Sequence, residues 1–172
     1  VLRVPTPSPK PIVNNKTFHA MLRDGIDIEY KRSDGSIAGD KVKIVDIENP
    51  DKNDFLAVNQ FTVIEERKNR RPDVIIFING LPIAFIELKN PADTGATIGG
   101  AFNQIQTYKN DIPALFAFNE LSIVSDGIEA RVGTISANKE WFTRWRTVDG
   151  DKIAPNSLPQ LEVLLKGIFE KK

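Results

Sequence analysis

The sequence contains no cysteine and a single histidine, His19, among its 172 residues. That inventory excludes cysteine nucleophiles, disulfide frameworks and Cys/His zinc sites, and leaves any serine–histidine pair dependent on His19. Hydrolytic chemistry in such a chain has to lean on carboxylates, lysine and metal. The lack of disulfides fits a reducing compartment. Excess charge is also missing: 23 basic and 23 acidic residues cancel, so there is no global attraction to nucleic acid, and any such binding needs a local patch or outside help. No stretch approaches the roughly 20 apolar residues that span a bilayer, and Val1-Leu2-Arg3-Val4 runs into prolines rather than a signal-type core. A cytoplasmic protein with no membrane partner is expected. There is no G-x-x-x-x-G-K-[ST] phosphate loop, so this stretch is not expected to bind or hydrolyse ATP by the usual machinery.

What is present reads as one domain, since the apolar fraction of 41% is ordinary for a soluble chain of this length. Pro5, Pro7, Pro9 and Pro11 predict an extended lead-in over 1–14. The folded unit is expected over 15–150, opening with a short helix from Lys16 to Arg23 that ends at Gly25. Ile26 to Arg32 and Lys41 to Ile47 read as a hairpin around Ser33-Asp34-Gly35-Ser36, and Phe55 to Glu65 as a further strand. Two β-branched and apolar runs, Asp73 to Ile78 and Leu81 to Leu88, meet at Asn79-Gly80, a strong hairpin signal, and should form the centre of the sheet. Ile98, Ala101, Phe102 and Ile105 follow the spacing of an amphipathic helix over Thr97 to Asn110. Strands return at Leu121 to Val124 and Ala130 to Ile135. Trp141 and Trp145, at helical spacing, are expected to bury a flank of the core. The remainder, 151–172, reads as a linker and a C-terminal helix, its run Leu161 to Phe169 too apolar to sit alone in water and expected to lead toward further domains absent from this sequence. Both ends look cut from something larger. The expected architecture is α/β, a mixed central sheet with helices packed on it.

The segment that promises chemistry runs from Pro72 to Lys89. Its charged residues Asp73, Glu87 and Lys89 bracket an almost wholly apolar hairpin, where unpaired charge is costly. Glu87 and Lys89 are two apart on one strand and share a face. A strict two-residue turn at Asn79-Gly80 would pair Asp73 with Ile86 and send the two carboxylates to opposite faces. One extra residue in the turn, or a bulge, brings Asp73 opposite Glu87, and Pro82 makes an irregularity there plausible. A bulge or three-residue turn between Ile78 and Ile83 is therefore predicted. With that register Asp73 and Glu87 could hold a hard cation such as Mg²⁺, with Lys89 orienting a nucleophilic water or offsetting negative charge: metal-assisted phosphodiester hydrolysis. Gln104 and Tyr108, spaced i, i+4, lie along one edge of the helix's apolar stripe and could reach the same place.

Pro72-Asp73 followed by Glu87-Leu88-Lys89 resembles the P-D…E-x-K signature of restriction-endonuclease-like nucleases. Further stretches extend the likeness: Asn53-Asp54-Phe55-Leu56-Ala57-Val58-Asn59-Gln60-Phe61, Asn69-Arg70-Arg71-Pro72-Asp73-Val74, Asn79-Gly80-Leu81-Pro82, Phe102-Asn103-Gln104-Ile105-Gln106-Thr107-Tyr108, Ser125-Asp126-Gly127 and Glu140-Trp141-Phe142. Together, over about Asn14 to Gly150, the sequence is similar to the N-terminal nuclease domain of the restriction (motor) subunit of type I restriction enzymes. The resemblance implies a restriction-endonuclease-like mixed central β-sheet flanked by helices. It implies Mg²⁺-dependent cleavage of double-stranded DNA, with ATP-driven translocation in other domains of the subunit and with modification and specificity subunits as partners. It also implies that Gln104 and Tyr108 match the family's Q-x-x-x-Y motif, which supports the site and contacts DNA. Family members carry a further acidic residue on an upstream helix, which this chain is expected to lack.

Blander readings compete with these. Strand-end charges are usually solvated or paired, and Gln104 and Tyr108 can simply be polar residues beside a core. Arg70 and Arg71, in the run Arg67-Lys68-Asn69-Arg70-Arg71, suit phosphate contact, but equally a solvated connection between strands. His19 is expected to be structural. Two alternatives to the restriction subunit remain at this point: a repair or junction nuclease of the same fold, and a non-catalytic docking domain that retains it.

Overall fold

The computed structural model describes residues 8, 10–93 and 97–170. Helix α1 (Pro11–Asp24) begins five residues before the expected Lys16, because Pro11 sits at its first turn, where a missing N–H costs nothing. Most of the proline-rich lead-in, residues 1–7 and 9, lies outside the described residues. The helix stops at Gly25, whose N–H bonds to Met21 O at 2.9 Å and whose φ of 78° favours glycine.

Strands β1 (Ile26–Lys31) and β2 (Ile37–Val42) form a ribbon of their own, paired from Ile26 with Val42 to Lys31 with Ile37. The return strand thus starts earlier than Lys41 and the loop is short, since Asp34 accepts from the Ser36 backbone at 2.9 Å and tightens the turn. The segment expected as one strand from Phe55 to Glu65 is two, β3 (Phe55–Asn59) and β4 (Val63–Glu65), separated at Gln60, which adopts φ 54° and ends the extended run. β4 pairs with β5 (Lys68–Arg70) in a second small ribbon.

The main sheet is completed by β6 (Val74–Ile78), β7 (Leu81–Leu88), β8 (Leu121–Ser125) and β9 (Ala130–Gly133), in the order β3-β6-β7-β8-β9. All neighbours are antiparallel except β7 and β8, which run parallel. Their crossover carries α2 (Ile98–Asp111), capped by the Thr97 hydroxyl accepting from Gly100 N, and the short α3 (Pro113–Phe116). Thus the sheet is mixed, as a helical crossover between parallel strands requires.

Alternation along β6 and β7 divides the core between two faces. Ile75, Phe85 and Val124 pack on one side with Ile98, Ala101, Ile105, Tyr108 and Phe116 of α2 and α3. Ile86, Ile123, Ala130 and Val132 pack on the other with Leu164 of α4 (Gln160–Phe169), so the terminal apolar run finds a partner within the chain. The tryptophans do not bury as expected. Lys139–Trp141 is a single 3-10 turn rather than a longer helix, which leaves Trp141 73% exposed and Trp145 at the surface, while Phe142 enters the core.

Candidate active site

The turn between β6 and β7 has two residues, Asn79 and Gly80, both with positive φ, as a twisted two-residue hairpin needs. Asn79 is tied down: its side chain donates to Ile44 O and Asn53 Oδ1 and accepts from Asp54 N at 2.8 Å. Pairing begins with Ile78 opposite Leu81 and Phe77 opposite Pro82, then shifts, so that Ile76 faces Ala84, Ile75 faces Phe85 and Val74 faces Ile86. Ile83 is the extra residue. The irregularity therefore falls where the sequence demanded one, as a bulge after Pro82 rather than a longer turn.

The bulged strand is held by polar groups in the core. Glu120 N donates to Ile83 O at 2.8 Å, and Asn119, fully buried, adds its Nδ2 to Ile83 O and to Leu121 O. Asn119 Oδ1 accepts from the Ser122 hydroxyl, and its backbone carbonyl accepts from Asn15 of α1 at 2.6 Å. A carbonyl freed from the ladder by the bulge is thus satisfied without water.

One residue beyond the Val74–Ile86 pair, the shifted register sets Asp73 opposite Glu87. Ile75 and Phe85 face α2, so Asp73 and Glu87 face it too. Asp73 Oδ2 accepts from Leu88 N at 2.8 Å and Oδ1 from Gln60 Nε2 at 2.9 Å. Glu87 is 4% exposed; its Oε1 accepts from Lys89 Nζ at 3.0 Å, while Oε2 is buried with no hydrogen-bond partner. Burial pushes the Glu87 carboxyl above its ordinary range, the Asp73 charge adds to this, and Lys89 opposes it.

Helix α2 supplies the third wall. Tyr108, buried, has its phenol pushed up to about 12, first by burial and then by the charges of Glu87 and Asp73, with Gln104 opposing. At neutral pH it is a hydrogen-bond donor beside two carboxylates. Its neighbour Lys109 points elsewhere: Nζ donates to Ile135 O at 2.6 Å, and burial pulls its pKa down to about 8.

Five of the seven residues singled out in the sequence therefore converge: Asp73, Glu87 and Lys89 from the hairpin, Gln104 and Tyr108 from α2. Arg70 does not join them. Its Nε donates to Asp111 Oδ2 at 2.7 Å, clamping the β4–β5 ribbon to the end of α2, with Lys68 on the other oxygen. Arg71 is exposed. Gln60 and Asn119 were invisible to sequence reasoning as site residues, because neither a left-handed glutamine nor a buried asparagine leaves a periodic signal.

The donor set is compatible with a hard divalent cation: Oε2 of the buried Glu87 has no hydrogen-bond partner within the chain, and two carboxylates facing the same side supply the oxygen ligands such an ion prefers. Among the described residues no group of three His, Cys, Asp or Glu side chains is gathered for a metal. Such a site would rest on two carboxylates and leave coordination positions to water and substrate, which suits Mg²⁺ rather than a closed structural ion.

A mixed sheet flanked by helices, with this pair at the ends of a bulged central hairpin, defines the restriction-endonuclease-like class. The chain belongs to the family described as type I restriction enzyme R protein N terminus, whose model matches residues 3–141. It is 41% identical over 162 residues to the type I restriction enzyme HindI endonuclease subunit of Haemophilus influenzae, covering 92% of this chain and 15% of that protein. It is 35% identical over 178 aligned residues to the putative type I restriction enzyme MjaIXP endonuclease subunit of Methanocaldococcus jannaschii, covering 92% of this chain and 17% of that one. A shorter match, 42% identical over 81 residues, links 46% of the chain to 8% of the SauCOLORF180P endonuclease subunit of Staphylococcus aureus. The chain spans about one-sixth of the length of the first two relatives.

Proposed function

We propose that this domain is the DNA-cutting centre of a type I restriction enzyme's R subunit, hydrolysing phosphodiester bonds of double-stranded DNA with Mg²⁺. The observation that carries this reading is the bulge at Ile83, which turns Asp73 onto Glu87 and leaves a buried carboxylate oxygen unpaired beside it. A hairpin that served only to fill the core would gain nothing from burying Glu87 in this way, since desolvation of a carboxylate is costly.

Asp73 and Glu87 would hold the ion, which when bound polarises the scissile phosphate and makes water a stronger nucleophile. Lys89 Nζ, held at 3.0 Å from Glu87 Oε1, keeps a positive charge next to the pair and offsets negative charge developing on the phosphate. Tyr108 stays protonated and donates toward the carboxylates or a phosphate oxygen, with Gln104 beside it on the same face of α2. Arg71 is the better placed of the two arginines for phosphate contact, because Arg70 is spent on Asp111. With zero net charge, the domain does not attract DNA strongly by itself. Delivery by the rest of the R subunit, through ATP-driven translocation, and by the modification and specificity subunits supplies what this surface lacks. Among the described residues no helix is long and apolar enough to cross a membrane, and the cytoplasm, where DNA is met, is the proposed location.

The test is Mg²⁺-dependent plasmid cleavage by the assembled complex, comparing wild type with Asp73→Ala, Glu87→Ala and Lys89→Ala. Each variant should lose cleavage by 10²-fold or more while keeping DNA-stimulated ATP hydrolysis. Undiminished cleavage in all three contradicts the assignment and favours a docking domain that merely retains the fold.

A further inference from the structure

We infer that Gln60 is a positioning residue that aims the Asp73 carboxylate at the site. This rests on the metal-dependent reading above. Gln60 grips Asp73 at two points: its backbone N–H donates to Asp73 O at 2.9 Å, and its side-chain Nε2 donates to Asp73 Oδ1 at 2.9 Å. With Leu88 N on Oδ2 at 2.8 Å, both carboxylate oxygens are fixed from opposite flanks, one from β3 and one from β7. The carboxylate plane is thereby set, and each oxygen keeps a further lone pair for an ion.

The backbone makes the case stronger than the contact alone. Gln60 has φ 54°, one of three non-glycine residues with positive φ among those described. A long side chain is an unfavourable choice for that conformation, and glycine or asparagine would suit it better. Such strain is retained where the surroundings or the function require it. Here the left-handed turn ends β3 opposite Asp73 and returns the Gln60 amide onto the carboxylate. A residue serving only to break the strand would not need a five-atom side chain whose amide reaches Oδ1. Partners that orient metal ligands commonly change metal affinity by 10- to 100-fold when removed.

Two substitutions separate positioning from simple turn formation. Gln60→Gly keeps the backbone freedom and deletes the amide; Gln60→Asn keeps an amide and tolerates the left-handed turn but falls short of Oδ1. In the full-length subunit, Mn²⁺ binding is titrated by electron paramagnetic resonance without nucleotide, the site being defined as the binding that Asp73→Asn abolishes. Both Gln60 variants are expected to weaken that binding about ten-fold or more, with melting temperature held at the wild-type value and with a cleavage defect that shrinks as Mg²⁺ is raised. Wild-type Mn²⁺ affinity in Gln60→Gly overturns the proposal, as does a cleavage defect that added Mg²⁺ does not relieve. If Asp73→Asn itself retains all Mn²⁺ binding, the metal reading and the positioning role both fall. Loss in Asp73→Asn with none in the Gln60 variants removes the positioning role alone.

Discussion

Asp73 stands opposite Glu87 because Ile83, ten residues along the chain from Asp73, has no partner in the β6–β7 ladder. Had the two-residue turn at Asn79-Gly80 propagated in strict register, Asp73 would have met Ile86 and pointed to the α4 side of the sheet. The single inserted residue flips one arm of the hairpin relative to the other, since side-chain direction alternates with period two. The site is in this sense a consequence of register.

The keeper of that register should be Asn119, which places Nδ2 on the bulged Ile83 carbonyl from a fully buried position. Replacing it with alanine removes one of the two donors on the Ile83 carbonyl, the other being Glu120 N, and strips the Asn119 side-chain bonds from the Leu121 carbonyl and the Ser122 hydroxyl, at a cost of roughly 2–4 kcal/mol. Denaturant unfolding of Asn119→Ala checks the loss, and Asn119→Leu, similar in volume, should recover none of it. Equal stability of wild type and Asn119→Ala would show that the bulge holds itself.

Glu87 makes the fold sensitive to pH, and on the proposed metal reading to divalent cations as well. Its carboxyl is held above the ordinary range, chiefly by burial, so the folded chain takes up this proton at a higher pH than the unfolded chain. Stability from this group therefore rises as pH falls from the folded pKa toward the unfolded value, and is lost as pH rises through the folded pKa. In the absence of divalent cations, Glu87→Gln should melt a few degrees above wild type at pH 7. Adding Mg²⁺ should raise the melting temperature of wild type and leave that of the variant unchanged. A variant that melts lower at pH 7 would mean that the Lys89 ion pair outweighs desolvation.

Lys109 and Tyr108, adjacent on α2, predict opposite slopes in alkali. Burial lowers Lys109 to about 8, so between pH 8 and its unfolded value, about 10.4, the unfolded chain binds the proton and the folded chain does not, and stability rises with pH. Tyr108 is raised to about 12; above pH 10 the unfolded phenol ionises first and stability falls. Melting temperature against pH should therefore show a rising contribution over pH 8 to 10 that Lys109→Met removes, and a fall beyond pH 10 that Tyr108→Phe diminishes.

Gly80 meets no heavy atom within 4 Å of where a Cβ would stand, but its φ is 78°. Gly80→Ala should thus cost about 1 kcal/mol through the backbone alone, read as a shift in denaturant midpoint. A neutral result would indicate that the turn relaxes to another type.

The main strands and α2 were legible in the sequence because their periodicities are strong: β-branched runs on both sides of Asn79-Gly80, then Ile98, Ala101 and Ile105 at helical spacing. The bulge was legible too, since Asp73 and Glu87 could share a face only with an extra residue near Pro82. Other features were not. The break at Gln60 lies inside an apolar run that reads as one strand, and only the tertiary bond to Asp73 reveals why the chain turns there. Trp141 and Trp145 carried the spacing of a buried helix, yet Phe142 fills the core and the tryptophans face outward. Arg70 read as a free cation because Asp111, 41 residues away, could not be seen as its partner.

On the proposed reading, Asp73 and Glu87 jointly hold a divalent cation. Anomalous diffraction from crystals soaked in Mn²⁺ tests it most directly. One peak is expected within about 2.2 Å of a carboxylate oxygen of each residue, the Glu87 contact being to Oε2, and no peak there in Asp73→Asn crystals. A peak bound elsewhere, or none between the two carboxylates at saturating Mn²⁺, would contradict it.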